Sequence, residues 1–101
     1  MSRGEADEGI LFCWTGTGVS MAASRVPGVR ATLCTDAATV SGSRRWNHAT
    51  VLVMGLRLTS QELAREMLDA WFSTPYGEGS DADMVAQLAA IDASYRGVAS
   101  R

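Results

Sequence analysis

Residues 9–23 read Gly-Ile-Leu-Phe-Cys-Trp-Thr-Gly-Thr-Gly-Val-Ser-Met-Ala-Ala. An apolar run ends in a cysteine, passes through a Gly/Thr loop and enters a segment of small residues. A continuous apolar run, without polar alternation, predicts a strand buried on both faces, as strands of parallel sheets are. Parallel strands need a crossover, and here a helix follows the strand within a few residues. The junction therefore commits the chain to an α/β layout. It also gathers a thiol and several backbone N–H groups at one point. The first N–H groups of a helix have no partner within it, and the helix dipole adds partial positive charge there.

The rest of the chain repeats the pattern. Gly18 to Arg25 predicts a short helix, and Pro27-Gly28 a turn. Val29 to Cys34 predicts a second strand. Asp36 can cap a weak helix to about Trp46, with an interruption expected at Ser41-Gly42-Ser43. Thr50 to Met54 predicts a third apolar strand. Thr59-Ser60-Gln61-Glu62 reads as a capping box opening a helix from Ser60 to Phe72, with Leu63, Met67, Ala70 and Trp71 on one face. Pro75 to Gly79 predicts a loop. A last helix follows Ser80 and carries Met84, Leu88, Ile91 and Tyr95 on one stripe. Strands of five or six residues separated by helices imply parallel βαβ units in a single α/β domain over residues 1–101. In open α/β sheets ligands bind outside the carboxyl ends of the strands. Those ends are Cys13 to Gly18, Cys34 to Asp36 and Gly55 to Arg57.

Composition closes off several functions. A net charge of −2 over 101 residues provides no electrostatic footprint for nucleic acid or an anionic membrane. No apolar run approaches the roughly 20 residues that span a bilayer. The polar, acidic N-terminus has no signal-peptide core. Cys13 and Cys34 form neither a metal-ligand spacing nor a disulfide framework, so a reducing cytoplasm is expected.

The residues leave several alternatives open. Gly16-x-Gly18 fails the dinucleotide fingerprint because Met21 holds the third glycine position, and no Walker lysine follows. The loop suits either a tight glycine turn or an anion site. Cys13 is either inert strand packing or a thiol activated by the helix N-terminus; Cys34, with no glycine loop after it, reads as core. His48, the only histidine, suits a surface or structural hydrogen-bonding role better than a catalytic one. Arg57, after the third strand, is either solvated or a clamp for a carboxylate or phosphate. Arg44-Arg45 reads as a solvated helix end, and Asp81 and Asp83 as first-turn charge matched to the helix dipole. No Ser/His/Asp constellation or metal cluster can be assembled.

The run Gly4-Glu5-Ala6-Asp7-x-Gly9-Ile10-Leu11-x-Cys13-x-Thr15-Gly16-x-Gly18-x-Ser20-x-Ala22-Ala23, followed by Val26-x-Gly28-Val29-Arg30-Ala31-x-Leu33-Cys34, resembles the ribose-5-phosphate isomerase B / galactose-6-phosphate isomerase family. The likeness continues through Asn47-x-Ala49-x-Val51-Leu52, Gly55-x-Arg57, Glu62-Leu63-Ala64 and Asp69-Ala70-Trp71. It implies a Rossmann-like three-layer α/β sandwich that retains three parallel strands, with flanking helices and a C-terminal helix. It also implies a homodimer whose sites draw on both subunits, and an aldose–ketose isomerase of a sugar phosphate or related sugar that works through an enediolate without cofactor or metal. Cys13 matches the cysteine that moves the proton between the two sugar carbons. Thr15, Gly16, Thr17 and Gly18 match the loop that holds the enediolate oxygens, Asn47 a substrate-contacting asparagine, and Arg57 a position contributing to phosphate binding in some members. A branch of the family uses a glutamate after the loop as base; Val19 stands there, which leaves Cys13 as the candidate.

Departures accompany the match. The family's first strand, with an Asp-His pair, and its Asp-Tyr-Pro segment would precede Met1, so the resemblance implies an N-terminally truncated domain. The ring-opening histidine falls on Trp46. The phosphate-binding arginines of the last helix fall on Ser80 and Met84, with Asp81 and Asp83 between them. A non-phosphorylated sugar is one implication. An inactive binding or dimerisation module is the alternative function, because without the family's first strand beside it the strand Gly9 to Cys13 would expose an apolar edge; a generic anion- or nucleotide-binding module is a third.

Overall fold

The computed structural model describes residues 4–99. Three parallel strands, β1 (Gly9–Cys13), β2 (Ala31–Leu33) and β3 (Val51–Gly55), alternate with four helices, α1 (Thr17–Ser24), α2 (Ala37–Asn47), α3 (Gln61–Ser73) and α4 (Ser80–Ala99). The strand order is β1-β3-β2. Gly9 pairs with Val51 and Cys13 with Gly55 on one side of β3; Ala31 pairs with Val51 and Leu33 with Val53 on the other.

Partners in register share a face of the sheet. Leu52 and Met54 therefore face one layer with Ile10, where they pack with Val40 of α2 and with Met67 and Trp71 of α3 into the buried core. Val53 and Leu33 face the other layer, beneath the start of α1. This is the three-layer α/β arrangement expected from the sequence. The α3 stripe is also as expected: Met67 and Trp71 are fully buried, and Leu63 and Ala70 pack against the core.

Burial corrects one strand. Only β3 is buried at all five positions. β1, expected to be covered on both faces, is an edge strand with Leu11 39% and Phe12 50% exposed. Its apolar composition suits an interior strand, but β3 lies on one side only.

Helix boundaries depart from expectation for local reasons. Asp36 caps α2 by accepting from the Thr39 N–H (2.7 Å), and α2 then runs unbroken through Ser41-Gly42-Ser43. The Trp46 ring lies across Gly42, where a Cβ would come within 2.9 Å of it, and the Ser43 hydroxyl turns back onto the Val40 carbonyl (2.8 Å). α3 is capped by Ser60, which accepts from Leu63 N–H. With Ser60 as N-cap, Glu62 falls at the second helical position, one short of the reciprocal capping-box place. In α4 the stripe Met84, Leu88, Ile91 and Tyr95 is 50–72% exposed rather than core.

A polar–aromatic cluster closes the amino ends of the strands. The Arg44 guanidinium lies between the Trp71 and Tyr76 rings, 4.4 and 4.5 Å from their centroids. It donates to the Ala49 carbonyl, the Tyr76 hydroxyl and the Glu8 carboxylate, whose other oxygen accepts from the Trp71 indole. Arg44 is thus buried rather than solvated; Arg45 is exposed as expected. Burial of a guanidinium is sustained by these partners and by two ring faces.

Candidate functional site at the carboxyl ends of β1 and β3

The loop leaving β1 is built around two glycines. Gly16, the N-cap of α1, has φ 86°, and a Cβ there would lie 2.5 Å from Leu33 Cδ1 and 3.4 Å from the Gly55 nitrogen. Gly55 ends β3, and a Cβ on it would sit 2.6 Å from the Thr15 carbonyl oxygen. Only glycine at both positions lets the two strand ends approach this closely. Backbone hydrogen bonds then join them: Leu56 N–H donates to the Cys13 carbonyl (2.8 Å) and Arg57 N–H to the Trp14 carbonyl (2.9 Å). Gly55 was not singled out as a site residue from the sequence. Its signal was its place just after the third apolar run.

This packing brings Cys13, Thr15, Gly16, Thr17, Gly18 and Arg57 together. Cys13 is half-buried at the end of β1, and Gly16 is buried. Thr15, Thr17, Gly18 and Arg57 are exposed, and the two threonine hydroxyls lie 3.0 Å apart. Arg57 makes no ion pair among the described residues. The Gly16 backbone N–H chiefly holds the Cys13 thiol below the ordinary cysteine pKa; partial burial opposes this, and the N–H groups of Val19, Trp14 and Thr15 add to it. A thiol so placed yields thiolate at lower pH than a free cysteine. The same N–H groups can stabilise an oxygen that gains negative charge.

Cys34 is the internal contrast. It is 1% exposed, beside the Thr32 hydroxyl (3.3 Å), and burial pushes its thiol pKa up. The two therefore separate on alkylation. Cys13 reacts with iodoacetamide at a rate that rises with pH and levels off below the pH needed by an unperturbed thiol, because its thiolate is already formed there. Cys34 stays unlabelled in the folded chain. Mass spectrometry across a pH series checks this; equal labelling of both would contradict it.

Asn47 does not join the group. α2 runs back along the sheet, so Asn47, its last residue, lies exposed at the amino ends of the strands. The length of β3 alone, roughly 13 Å at ~3.3 Å per residue, separates it from the Cys13 end. Asn47 lines a groove of about 520 Å³ between α4 and the start of β2, together with Arg30, Thr32, Leu88 and Asp92. Trp46 beside it is 58% exposed. The first turn of α4, with Asp81 and Asp83, is at this same end, because Gly77 N–H donates to the Arg45 carbonyl (2.8 Å). His48 takes the structural role favoured from sequence: its ring stacks on Tyr76 and its Nε2 lies 2.8 Å from the Gly77 carbonyl. No three His, Cys, Asp or Glu side chains converge as metal ligands among the described residues. No helix among them is long and apolar enough to cross a membrane.

Residues 1–88 match the model of a family described as Ribose/Galactose Isomerase. The chain belongs to this family. Ribose-5-phosphate isomerase B of Escherichia coli is 39% identical over 92 residues, 91% of this chain and 62% of that protein. D-erythrulose-4-phosphate isomerase 2 of Mycolicibacterium smegmatis is 42% identical over 76 residues, 75% of this chain and 50% of that protein. The solved structure of Clostridium thermocellum ribose-5-phosphate isomerase B superposes with a TM-score of 0.88 at 38% identity, covering 92% of this chain and 63% of that one. The fold is thus that of the ribose-5-phosphate isomerase B structures. The chain spans 50–63% of the length of these relatives.

Proposed function

We propose that the chain is the thiol-bearing part of an aldose–ketose isomerase acting on a sugar or sugar phosphate. The observation that carries this is Cys13 at a strand end, with its pKa lowered by the N–H groups of the following loop. In the reaction the Cys13 thiolate takes the proton from the carbon next to the sugar carbonyl, and an enediolate forms. The loop of Thr15, Gly16, Thr17 and Gly18 holds its oxygens through backbone N–H groups, which stabilise charge that develops only during reaction. The same thiol then returns the proton to the neighbouring carbon, while the hydroxyl proton passes from the oxygen that becomes the new carbonyl to the oxygen of the old one. No electron leaves the sugar, so no redox cofactor is called for. Arg57, exposed at this end and without an ion pair among the described residues, is a cation available for a phosphate.

The site is completed by a second copy of the chain. Asn47 and Cys13 stand at opposite ends of one sheet, so they meet on one sugar only if two copies pack antiparallel about a two-fold axis. The prediction is direct. Asn47→Cys is joined to Cys13 of the second copy by a short bismaleimide spacer that replaces the sugar between them, seen as a dimer band on a denaturing gel and absent when Cys13 is also replaced by serine. A monomer band only would contradict the shared site.

The substrate this geometry suits reacts from its open-chain form. Trp46 stands where the resemblance implies a ring-opening histidine, and His48 is engaged by Gly77 and Tyr76. A four-carbon sugar phosphorylated on O4 has no hydroxyl placed to close a five-membered ring, and two of the relatives are D-erythrulose-4-phosphate isomerases. Incubation with erythrulose 4-phosphate, ribose 5-phosphate and the free sugars, followed by separation of aldose from ketose, tests the proposal. Interconversion of at least one member, fastest for the tetrulose phosphate, is expected; no conversion of any would contradict it.

A further inference from the structure

His48 is the only residue other than glycine with positive φ among the described residues, at φ 49° and ψ 46°. This left-handed conformation costs a non-glycine residue energy and persists where surrounding contacts hold it. Three contacts do so. The imidazole lies flat on Tyr76, with ring centroids 4.4 Å apart and planes 8° from parallel. Nε2 is 2.8 Å from the Gly77 carbonyl, which can only accept, so Nε2 carries the proton. The His48 carbonyl accepts from Arg30 Nε at the entrance to β2 (2.8 Å). The neighbours are held as well: Tyr76 donates its hydroxyl to the Ala49 carbonyl, and a Cβ on Gly77 would come within 2.6 Å of the Arg45 carbonyl.

All of these contacts converge on the residue directly after Asn47. A left-handed residue reverses the chain at a helix end, so its two dihedrals set the direction in which the preceding residue is presented. Asn47 itself is exposed, and its side chain makes no hydrogen bond among the described residues. Its placement is therefore supplied by its neighbour.

We infer that His48 is a positioning residue: its ring, clipped between Tyr76 and Gly77, and its carbonyl, held by Arg30, fix the peptide that presents Asn47 to the second copy's Cys13 loop. The inference rests on the two-copy site proposed above. It gives the single histidine of the chain a task through Asn47 and none in proton transfer.

Two measurements test it. The first is independent of catalysis. A nitroxide is attached to Asn47→Cys in a Cys13→Ser background, where Cys34 is buried and unreactive. With His48 the label gives a slow, ordered spectrum. His48→Gly keeps the backbone conformation accessible but removes the ring, and raises the mobile fraction about twofold. His48→Gln, whose amide supplies a donor for the Gly77 carbonyl, restores order. The second is kinetic, with Asn47 and Cys13 intact: His48→Gly lowers kcat about tenfold or more, with a smaller change in KM, and His48→Gln recovers most of the loss. A folded His48→Gly protein whose label is as ordered as the parent would overturn the inference, as would a His48→Gln protein no better than His48→Gly. If His48→Gly does not fold, His48→Asn, which adopts the left-handed conformation readily, takes its place in both arms. If the wild-type chain turns over no sugar, the isomerase proposal fails while the spin label still decides the role of His48.

Discussion

Replacing Cys13 with serine lowers sugar turnover by about 10²–10⁴-fold, the contribution of a positioned acid–base group, while the fold stays intact. Serine nearly matches cysteine in size, so the half-buried end of β1 and the Gly/Thr loop keep their geometry. What changes is acidity. The loop N–H groups bring the Cys13 thiol below its ordinary pKa, whereas a hydroxyl under the same influence remains far from ionisation near neutral pH. The sign with pH follows. The wild-type rate falls as pH drops through the lowered thiol pKa, because the thiolate is lost, and the serine variant shows no such step. Steady-state kcat over a pH series, with circular dichroism melts of both proteins, checks the prediction. A serine variant within twofold of wild type would remove Cys13 from the mechanism.

Gly55→Ala produces the second large effect, although Gly55 is placed against no substrate. Its new methyl would sit 2.6 Å from the Thr15 carbonyl oxygen and 2.8 Å from its carbon. These are backbone atoms, so no side-chain rotation relieves the clash. The loop must move, and with it the hydrogen bonds from Leu56 to Cys13 and from Arg57 to Trp14. Overpacking of this kind costs about 1–3 kcal/mol. The larger consequence is for rate: displacing the loop amides by about 1 Å from the developing oxyanion costs about 10²-fold. Urea denaturation measures the first and kcat the second. A fully active Gly55→Ala protein would show that the contact between the β1 and β3 ends does not hold the site.

Most of the architecture was legible in the residues because the strands lie in short apolar runs and α2 and α3 begin at recognisable caps, Asp36 and Ser60. The sequence alone puts Cys13 and Arg57 in one region, since each stands at the carboxyl end of an apolar run and the carboxyl ends of parallel strands lie together. Four features were not legible from local pattern, three of them because they depend on tertiary neighbours. β1 reads as buried from its apolar run, and only the resemblance, by leaving out the strand beside it, implies the exposed edge that strand order gives it, with β3 on one side only. α2 survives its Ser-Gly-Ser stretch because Trp46 covers Gly42. Arg44 looks like a solvated helix end until Trp71, Tyr76 and Glu8, from distant parts of the chain, enclose it. Asn47 is matched by sequence to the same chemistry as Cys13, but the return path of α2 puts it at the other end of the sheet. That separation is the physical reason for proposing a second copy.

Leu11 and Phe12 on the edge strand, and Met84, Leu88, Ile91 and Tyr95 along α4, leave more apolar area in water than isolated surface residues would. The chain also spans only 62% of the length of the Escherichia coli relative. Substrate assays are therefore best read together with the oligomeric state of the same preparation.

Proton exchange tests the central claim most directly. The protein is incubated with erythrulose 4-phosphate and with ribose 5-phosphate in D₂O, and the carbon-bound proton next to the carbonyl is followed by NMR. The account predicts deuterium entering at that carbon in step with aldose–ketose interconversion, with both lost in Cys13→Ser. Interconversion or deuterium entry that persists unchanged in Cys13→Ser would contradict it.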